Sequence, residues 1–511
     1  MEVNKGYSND LKNWNVKRRV SKRSVVTIRE QVNSPMFCVT NSLKQKSIWF
    51  ILLLCCSSCT IGPKYSKPTM TIPDSFKEGG ILWKSAKPIV QEDVGEWWKI
   101  FNDPVLHQLE ERLNINNQNI RAAEAQYRQA LALANKARAS YFPTITSMYA
   151  LTRQRQIAHV GLPPTISNDK ALQLNANWEL DLWGNVRQNV KASLAASEAS
   201  KASLAFIRLS AQSSLAQYYF ELRTLDHDQV LLDKLVITWQ KILDYYKNRK
   251  LSGVAFQMDI LTAENNLYAA KILAANNGIN RAEYQHAIAV LIGESPSAFT
   301  IEKSNRTSSF SLQDIPVRIP SELLERRPDI VQAERLVAQA NAQIGIAQTA
   351  YFPNLTLAAT GALEGTGFGH LLALPTFLWS LGPQLSATLF DGGARSSNIK
   401  AAKAGYEASV ASYRQTVLTA FQEVEDSLVS LNILDSQAQI QNEISKNALA
   451  AYKLALNQYK IGITDYSALL TAEINLYNAN KNAVDTEGLR TVAAIGLIKA
   501  LGGGWNGGQY Q

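Results

Sequence analysis

Ala171-Leu-Gln-Leu-Asn-Ala-Asn-Trp-Glu-Leu-Asp181 is the stretch on which the fold turns. In an extended chain Leu172, Leu174, Ala176, Trp178 and Leu180 fall on one face, and Gln173, Asn175, Asn177, Glu179 and Asp181 on the other. That period of two is the pattern of a strand with one apolar side. Directly downstream the pattern changes. No Pro occurs from Gly184 to Ser295, and the composition shifts to Ala, Gln, Lys, Glu and Leu, which favour helix. Val186 to Arg249 reads as one helix, roughly 95 Å long if unbroken at 1.5 Å per residue. Such lengths belong to coiled coils rather than to ordinary compact domains.

The same unit is written twice. Tyr141-Phe142-Pro143 recurs as Tyr351-Phe352-Pro353, and Asp181 before Trp183-Gly184 recurs as Asp391 before Gly392-Gly393, both 210 residues on. Gly253 with Leu261-Thr262-Ala263-Glu264 recurs as Gly462 with Leu470-Thr471-Ala472-Glu473, 209 residues on. The chain is therefore a tandem duplication, with a period far too long for a solenoid. In each copy a helix (Asn119 to Ser140, then Asp329 to Ala350) is stopped by Tyr-Phe-Pro, because Pro cannot continue a helix and pushes its predecessor to extended geometry. Two strands follow: Thr144 to Thr152 and Ala171 to Asp181, then Asn354 to Leu363 and Leu381 to Asp391. In the last, Leu385, Ala387 and Leu389 oppose Gln384, Ser386 and Thr388.

A half-buried strand of a soluble sheet alternates in the same way. Here each strand is about the 9–11 residues that cross a bilayer when tilted, and Trp178 sits near a strand end, where an interfacial ring of aromatics belongs. Four strands do not close a barrel, and lipid does not tolerate open edges. Membrane strands would thus require several chains to pool them. Each long helix breaks at Gly253 or Gly462 and resumes at once, a helical hairpin with Gly as its stop. Small residues in Lys191-Ala-Ser-Leu-Ala-Ala-Ser-Glu-Ala-Ser200 allow close packing on two sides, as in the wall of a tube. An ordinary two-stranded coiled coil would explain these helices but not the strand pairs between them. Glu294 to Pro320, with Pro296, Pro316 and Pro320, reads as a connector.

The 511 residues carry 52 Lys+Arg against 43 Asp+Glu, a formal charge of +9. Alone this would point to nucleic acid or an anionic surface. Residues 1–58 hold ten of the basic and three of the acidic residues, which leaves 42 and 40, or +2, for the rest. The nucleic-acid reading goes with the leader. All four Cys, at Cys38, Cys55, Cys56 and Cys59, lie at this end, which excludes a disulfide scaffold. The apolar run Ile48 to Cys56 follows Lys44 and Lys46 and precedes Ser57-Ser58. That is the layout of a secretory signal peptide, too short for a span of about 20 residues. Translation is expected to start at Met36. Cys59 after two small residues resembles the lipobox of a bacterial lipoprotein, although Cys56 stands where that motif usually has Leu. Cys59 is thus the expected lipidation site, and Thr60 after it favours outer-membrane sorting by the same resemblance. Chemistry-bearing motifs are absent. There is no P-loop, and His107, His227, His286 and His370 include no pair at metal-ligand spacing. Gly365-Thr-Gly-Phe-Gly369 precedes no amphipathic helix and reads as a loop. No catalytic residue, cofactor or metal site is expected.

Several marks occur in order: Cys59 with Gly62-Pro63-Lys64-Tyr65 and Pro68; Trp97-Trp98 with Phe101, Asp103-Pro104 and Leu106; the two Tyr-Phe-Pro stops; Leu324-Glu-Arg-Arg-Pro-Asp-Ile330; Asp391-Gly-Gly393; Phe421-Gln-Glu-Val-Glu-Asp426; and Tyr459 with Gly462 and Leu469-Leu470. Together the chain resembles the TolC-like outer-membrane efflux factors, in their lipoprotein branch (OprM/NodT type). The resemblance implies an α+β membrane protein: a homotrimer whose three chains give four strands each to one β-barrel, continued across the periplasm by a long α-helical barrel. It implies a passive exit duct for small toxic compounds or drugs, lipid-anchored in the bacterial outer membrane, and not an enzyme. Its partners would be outer-membrane lipid, a periplasmic adaptor (membrane-fusion) protein and an inner-membrane pump of the resistance-nodulation-division type. A duct for type I protein secretion or metal-ion efflux is the alternative within the family, and a structural coiled-coil lipoprotein the alternative outside it.

By the same resemblance the closed periplasmic aperture lies at the hairpins of Gly253 and Gly462, where Asp259 and Tyr459 match members of a bonding network between helices. Asp259 reads equally as a helix cap. Family members often carry an Asp nine residues after the second Gly; here that position is Thr471, and Thr262 in the first copy, with Asp465 as a partial substitute. The expected organisation is a leader over 1–58, a lipidated segment with a first short helix over 59–118, repeats over 119–295 and 321–500, a connector over 296–320 and a tail over 501–511.

Overall fold

A computed structural model describes residues 60–71, 76–77, 96–156, 165–304, 327–365 and 377–503, all within one compact unit, Ser58–Gln511. Cys59, the leader with Met36, residues 305–320 of the connector, the loop after Gly365 and the tail from residue 504 lie outside the described residues.

After a short 3-10 turn (Trp97–Phe101) and α1 (Pro104–Asn116), two runs of five elements follow one another. The first is α2 (Gln118–Ala139), β1 (Thr144–Gln156), β2 (Thr165–Leu180), α3 (Asn185–Leu251) and α4 (Gln257–Leu291). The second is α5 (Pro328–Thr349), β3 (Asn354–Gly365), β4 (Phe377–Ser386), α6 (Ala394–Lys460) and α7 (Tyr466–Ala500). Corresponding helices have equal lengths: 22 residues for α2 and α5, 67 for α3 and α6, and 35 for α4 and α7. At 1.5 Å per residue α3 and α6 are each about 100 Å long.

Both long helices start and stop on the same devices. Asp181 accepts the backbone N–H groups of Val186 and Arg187, each at 3.0 Å, and also Arg187 Nε at 2.9 Å. Asp391 does the same for Gly393, Arg395 and Arg395 Nε. A carboxylate on the free N–H groups of a first turn satisfies donors that otherwise have no partner. At the other end the Val254 N–H reaches back to the Arg249 carbonyl (3.0 Å), and the Ile463 N–H to the Gln458 carbonyl (2.9 Å). This closure needs a left-handed residue. Gly253 has φ +75° and Gly462 φ +76°.

The four strands form one antiparallel sheet in the order β1-β2-β3-β4, so β1 and β4 are its edges. β4 departs from the expectation of Leu381 to Asp391. It runs from Phe377 to Ser386, which leaves Leu389 beyond the strand and 95% exposed. Gly382-Pro383 lies inside the strand. An edge strand tolerates Pro because one of its sides makes no ladder bonds within the sheet.

The helices form a layered wall. α3 packs against α1, α2, α4, α5 and α7, whereas α6 packs against α5 and α7. α3 accordingly buries side chains along its whole length, from Val186 to Leu243; α6 does so only between Tyr413 and Ala438. The largest apolar cluster sits mid-way, where Trp97, Trp98, Phe101, Leu106 and Leu113 meet Leu215, Tyr219, Ile288, Leu428 and Ile495. A second cluster (Leu235, Ile242, Leu243, Ile260, Leu267, Leu470) joins the two hairpins towards their tips.

A Cβ at a left-handed position costs about 1–2 kcal/mol. Gly253→Ala and Gly462→Ala should each lower thermal stability, while Gly253→Asn and Gly462→Asn should recover much of it, because Asn visits that conformation. Melting curves of the four variants check this.

Candidate functional site: an apolar sheet face and two hairpin tips

The strand register assembles the apolar residues into one face. Opposite residues of an antiparallel pair lie on the same side. Ile145, Ser147, Tyr149 and Leu151 of β1 therefore line up with Ala176, Leu174, Leu172 and Lys170 of β2. Leu172, Leu174, Ala176, Trp178 and Leu180 in turn meet Leu363, Gly361, Ala359, Leu357 and Leu355 of β3. These meet Phe377, Trp379, Leu381, Pro383 and Leu385 of β4. The face is apolar and exposed: Ile145 is 71% accessible, Trp379 72% and Leu385 65%. Its span on β2, Leu172 to Leu180, is about 26 Å along the strand at about 3.3 Å per residue. Tilted by about 35–45°, that projects to about 20 Å, near the roughly 25 Å apolar band of a membrane barrel. The other face carries Gln173, Asn175, Asn177, Thr356 and Thr360, knitted by bonds such as Thr360 Oγ1 to Asn175 Oδ1 (3.0 Å).

Aromatics collect where the sheet meets the helices. Tyr141, Phe142, Tyr351 and Phe352 are exposed there. Trp178 Nε1 donates to the Tyr141 carbonyl (3.0 Å), and Trp183 stacks on Phe352 at 5.0 Å. The same junction fixes the segment after Cys59. The Ile61 N–H donates to the Trp183 carbonyl, Gln188 Nε2 to the Ile61 carbonyl and Asn341 Nδ2 to the Pro63 carbonyl, each at 3.0 Å. Tyr65 donates to Glu334.

At the far end are the hairpin tips. Asp259 sits in the first turn of α4 and accepts the Phe256 N–H at 2.9 Å. Asp465 caps α7 by accepting from the Ala468 N–H and Ser467 Oγ, both at 2.8 Å. Those bonds, with Arg249 nearby, hold its carboxyl below the usual range. Thr471 Oγ1 donates back to the Ser467 carbonyl (2.8 Å); Thr471 and Thr262 are both exposed. No hydrogen bond joins Tyr459 to Asp259 within the chain. The Tyr459 ring instead packs on Tyr466 (5.3 Å), which packs on Tyr245 (5.5 Å), and Arg249 Nη1 donates to the Tyr245 hydroxyl (2.8 Å). This tyrosine cluster ties α3 to α7 and was not foreseen from sequence.

Nor were the ion pairs that brace the hairpins. Asp226, with a fully buried side chain, accepts Arg281 Nε (2.5 Å), Arg223 Nη1 (3.1 Å) and the Ser304 N–H (3.2 Å). In the second run Arg490 Nη1 lies 2.9 Å from Asp435. Asp226 to Asp435 and Arg281 to Arg490 are both 209-residue steps, so the repeat offset applied to charged residues would have found them. Between the runs Lys481 bridges Asp228 (3.1 Å) and Asp485 (2.6 Å). Among the described residues no three His, Cys, Asp or Glu are placed to hold a metal, and no helix is long and apolar enough to cross a membrane.

The model of the outer membrane efflux protein family matches the chain twice, over residues 109–294 and 319–503. The chain belongs to that family. Among the relatives of this efflux-family chain, the toluene efflux pump outer membrane protein TtgC of Pseudomonas putida is 28% identical over 473 residues, 91% of this chain and 96% of TtgC. The pyoverdine export outer membrane protein OpmQ of Pseudomonas aeruginosa is 30% identical over 423 residues, 81% and 88% of the two chains. The solved outer-membrane channel OprN superposes with a TM-score of 0.79 at 29% identity, covering 88% of this chain and all of OprN.

Burial, with the Asp485 carboxylate beside it, pushes Asp228 up to about 7. The unfolded value is about 3.9. The folded protein therefore holds an extra proton between these limits, and stability falls as pH rises from about 4 through 7. Melting temperature should drop between pH 5 and pH 8, and Asp228→Asn should flatten that slope.

Proposed function

We propose that this efflux-family chain is the passive outer-membrane exit duct of a tripartite pump, working as a homotrimer. The observation that carries the reading is a sheet with one predominantly apolar, exposed face, whose two edge strands have no partner among the described residues. Three copies joined edge to edge give a closed barrel of twelve strands, apolar outside and lined by Gln, Asn and Thr. Eight-stranded barrels are just filled by side chains and those of 16–18 strands hold an aqueous channel; twelve leave a passage for small molecules. The helices below it continue the tube into the periplasm, and the sides of α6 left open by α5 and α7 take the next chain. Cys59 is the lipid anchor. Its neighbour Thr60 lies against Gly184 at the sheet–helix boundary, the depth at which an acyl chain would enter the membrane.

The tips are the periplasmic end. Phe256, Met258, Ile461 and Ile463 are exposed there, an apolar fringe for a periplasmic adaptor, beyond which an inner-membrane pump of the resistance-nodulation-division type supplies the energy. Gly253, Gly462, Asp259, Tyr459, Asp465, Thr262 and Thr471 border the aperture. The cargo is small organic compounds, the class that toluene and pyoverdine in the relatives' names span.

A strain lacking the gene should become hypersensitive to lipophilic antimicrobials, with rescue by the intact gene; a protein that is monomeric in mild detergent would overturn the duct. A ring of hydroxyls does not hold cations as a ring of carboxylates does. Trivalent cations should therefore block the wild-type channel weakly in planar bilayers, and Thr471→Asp should make block clearly stronger. Equal block would remove Thr471 from the aperture.

A further inference from the structure

The apolar face of the sheet does not end in neutral residues. Successive positions of that face on β1 are Ile145, Ser147, Tyr149, Leu151, Arg153 and Arg155, and the pairing with β2 runs unbroken to Gln156. The row Tyr149, Leu172, Leu363 and Phe377 is the last, at the end away from the helices, in which all four strands place an apolar residue on this face; beyond it Leu151 and Ile166 stand among charged neighbours. In the next row Leu151 faces Lys170. Arg153 and Arg155 follow, about 14 and 20 Å beyond Tyr149 along the strand at about 3.4 Å per residue. Both are exposed, and neither makes an ion pair among the described residues. The opposite face carries acid at the same level: Asp169, which accepts Gln154 Nε2 (3.0 Å) and Ser167 Oγ (2.9 Å), and Glu364. Charge is thus sorted by side, basic with the apolar band and acidic behind it.

We propose that Arg153 and Arg155, on the face they share with Lys170, dock the phosphate groups of a phosphorylated lipid in the outer leaflet. The inference rests on the duct reading, which turns this face to lipid and this end to the cell exterior. Guanidinium groups match phosphate oxygens two bonds at a time. The exposed apolar side chains on the same face, Leu151 next to the arginines and Tyr149 and Phe377 beyond it, take the acyl chains of the same molecule, which is why a lipid, rather than a free anion, is the occupant. A basic side chain buried in the hydrocarbon would be costly; just outside the band it meets the headgroups.

The test uses the full-length protein in zwitterionic vesicles doped with a bis-phosphorylated glucosamine lipid or with its dephosphorylated form. The readout is lipid retained by the re-extracted protein in native mass spectrometry. Wild type should retain the phosphorylated form on the order of thirtyfold better, at about 1 kcal/mol for each of the two arginines. The double variant R153Q/R155Q should lose that preference, and R153K/R155K should keep part of it. An unchanged preference in R153Q/R155Q, or equal retention of both lipids by wild type, would overturn the inference and leave the duct reading standing. Failure of the wild-type protein to enter vesicles at all would overturn both.

Discussion

A β-sheet edge in hydrocarbon is the constraint on which everything else depends. Each unpaired N–H and C=O there costs several kcal/mol, and no water is present to take its place. This chain builds a sheet with an apolar outer face and then leaves β1 and β4 open. Alone it has no stable place in a membrane or in water: the edges forbid the first and the exposed Leu, Phe and Trp side chains penalise the second. Pairing with further copies, as proposed above, would satisfy both demands. In the proposed assembly, quaternary structure would follow from hydrogen-bond accounting, before any question of function.

The duplication meets that demand economically, but it does not make the two halves equivalent. α3 and α6 have the same length, the same aspartate at their start and the same left-handed Gly at their stop. Their surroundings differ. α3 is enclosed by five helices of its own chain, whereas α6 has two. Equal sequence logic in unequal surroundings suits the proposed wall of several chains, in which one member would face the neighbouring chain.

Much of this was legible in the residues. Period-two alternation, Tyr-Phe-Pro stops and hairpin glycines are local signals, and local signals located the helices to within a few residues. β4 was expected to run on to Asp391 because Leu385, Ala387 and Leu389 continue the alternation, but its pairing with β3 ends at Ser386. The residues proposed for the aperture were harder to read. Asp259 and Asp465 satisfy helix ends within their own hairpins, and the cluster Tyr245–Tyr466–Tyr459 joins residues more than two hundred positions apart. A hydrogen-bond partner drawn from across the fold leaves no spacing in the sequence.

The distribution of these contacts along the helices gives the duct its mechanical character. Near the middle, the aromatic core around Trp98 and Tyr219, the buried Asp226 with its two arginines and the Arg327 side chain bonded to Asp329, Glu423 and the Ala500 carbonyl hold the layers together. Breaking one partner of such a buried pair costs about 3–5 kcal/mol. Towards the tips the ties between hairpins thin to a small apolar cluster, ring contacts and partly exposed polar bonds. Ring contacts of this kind are worth about 0.5–1.5 kcal/mol each. Local opening follows the weakest ties. The ties are thus weakest at the hairpin ends, which fits the proposed aperture there: a partner that gripped only the tips would have the fewest strong contacts to break.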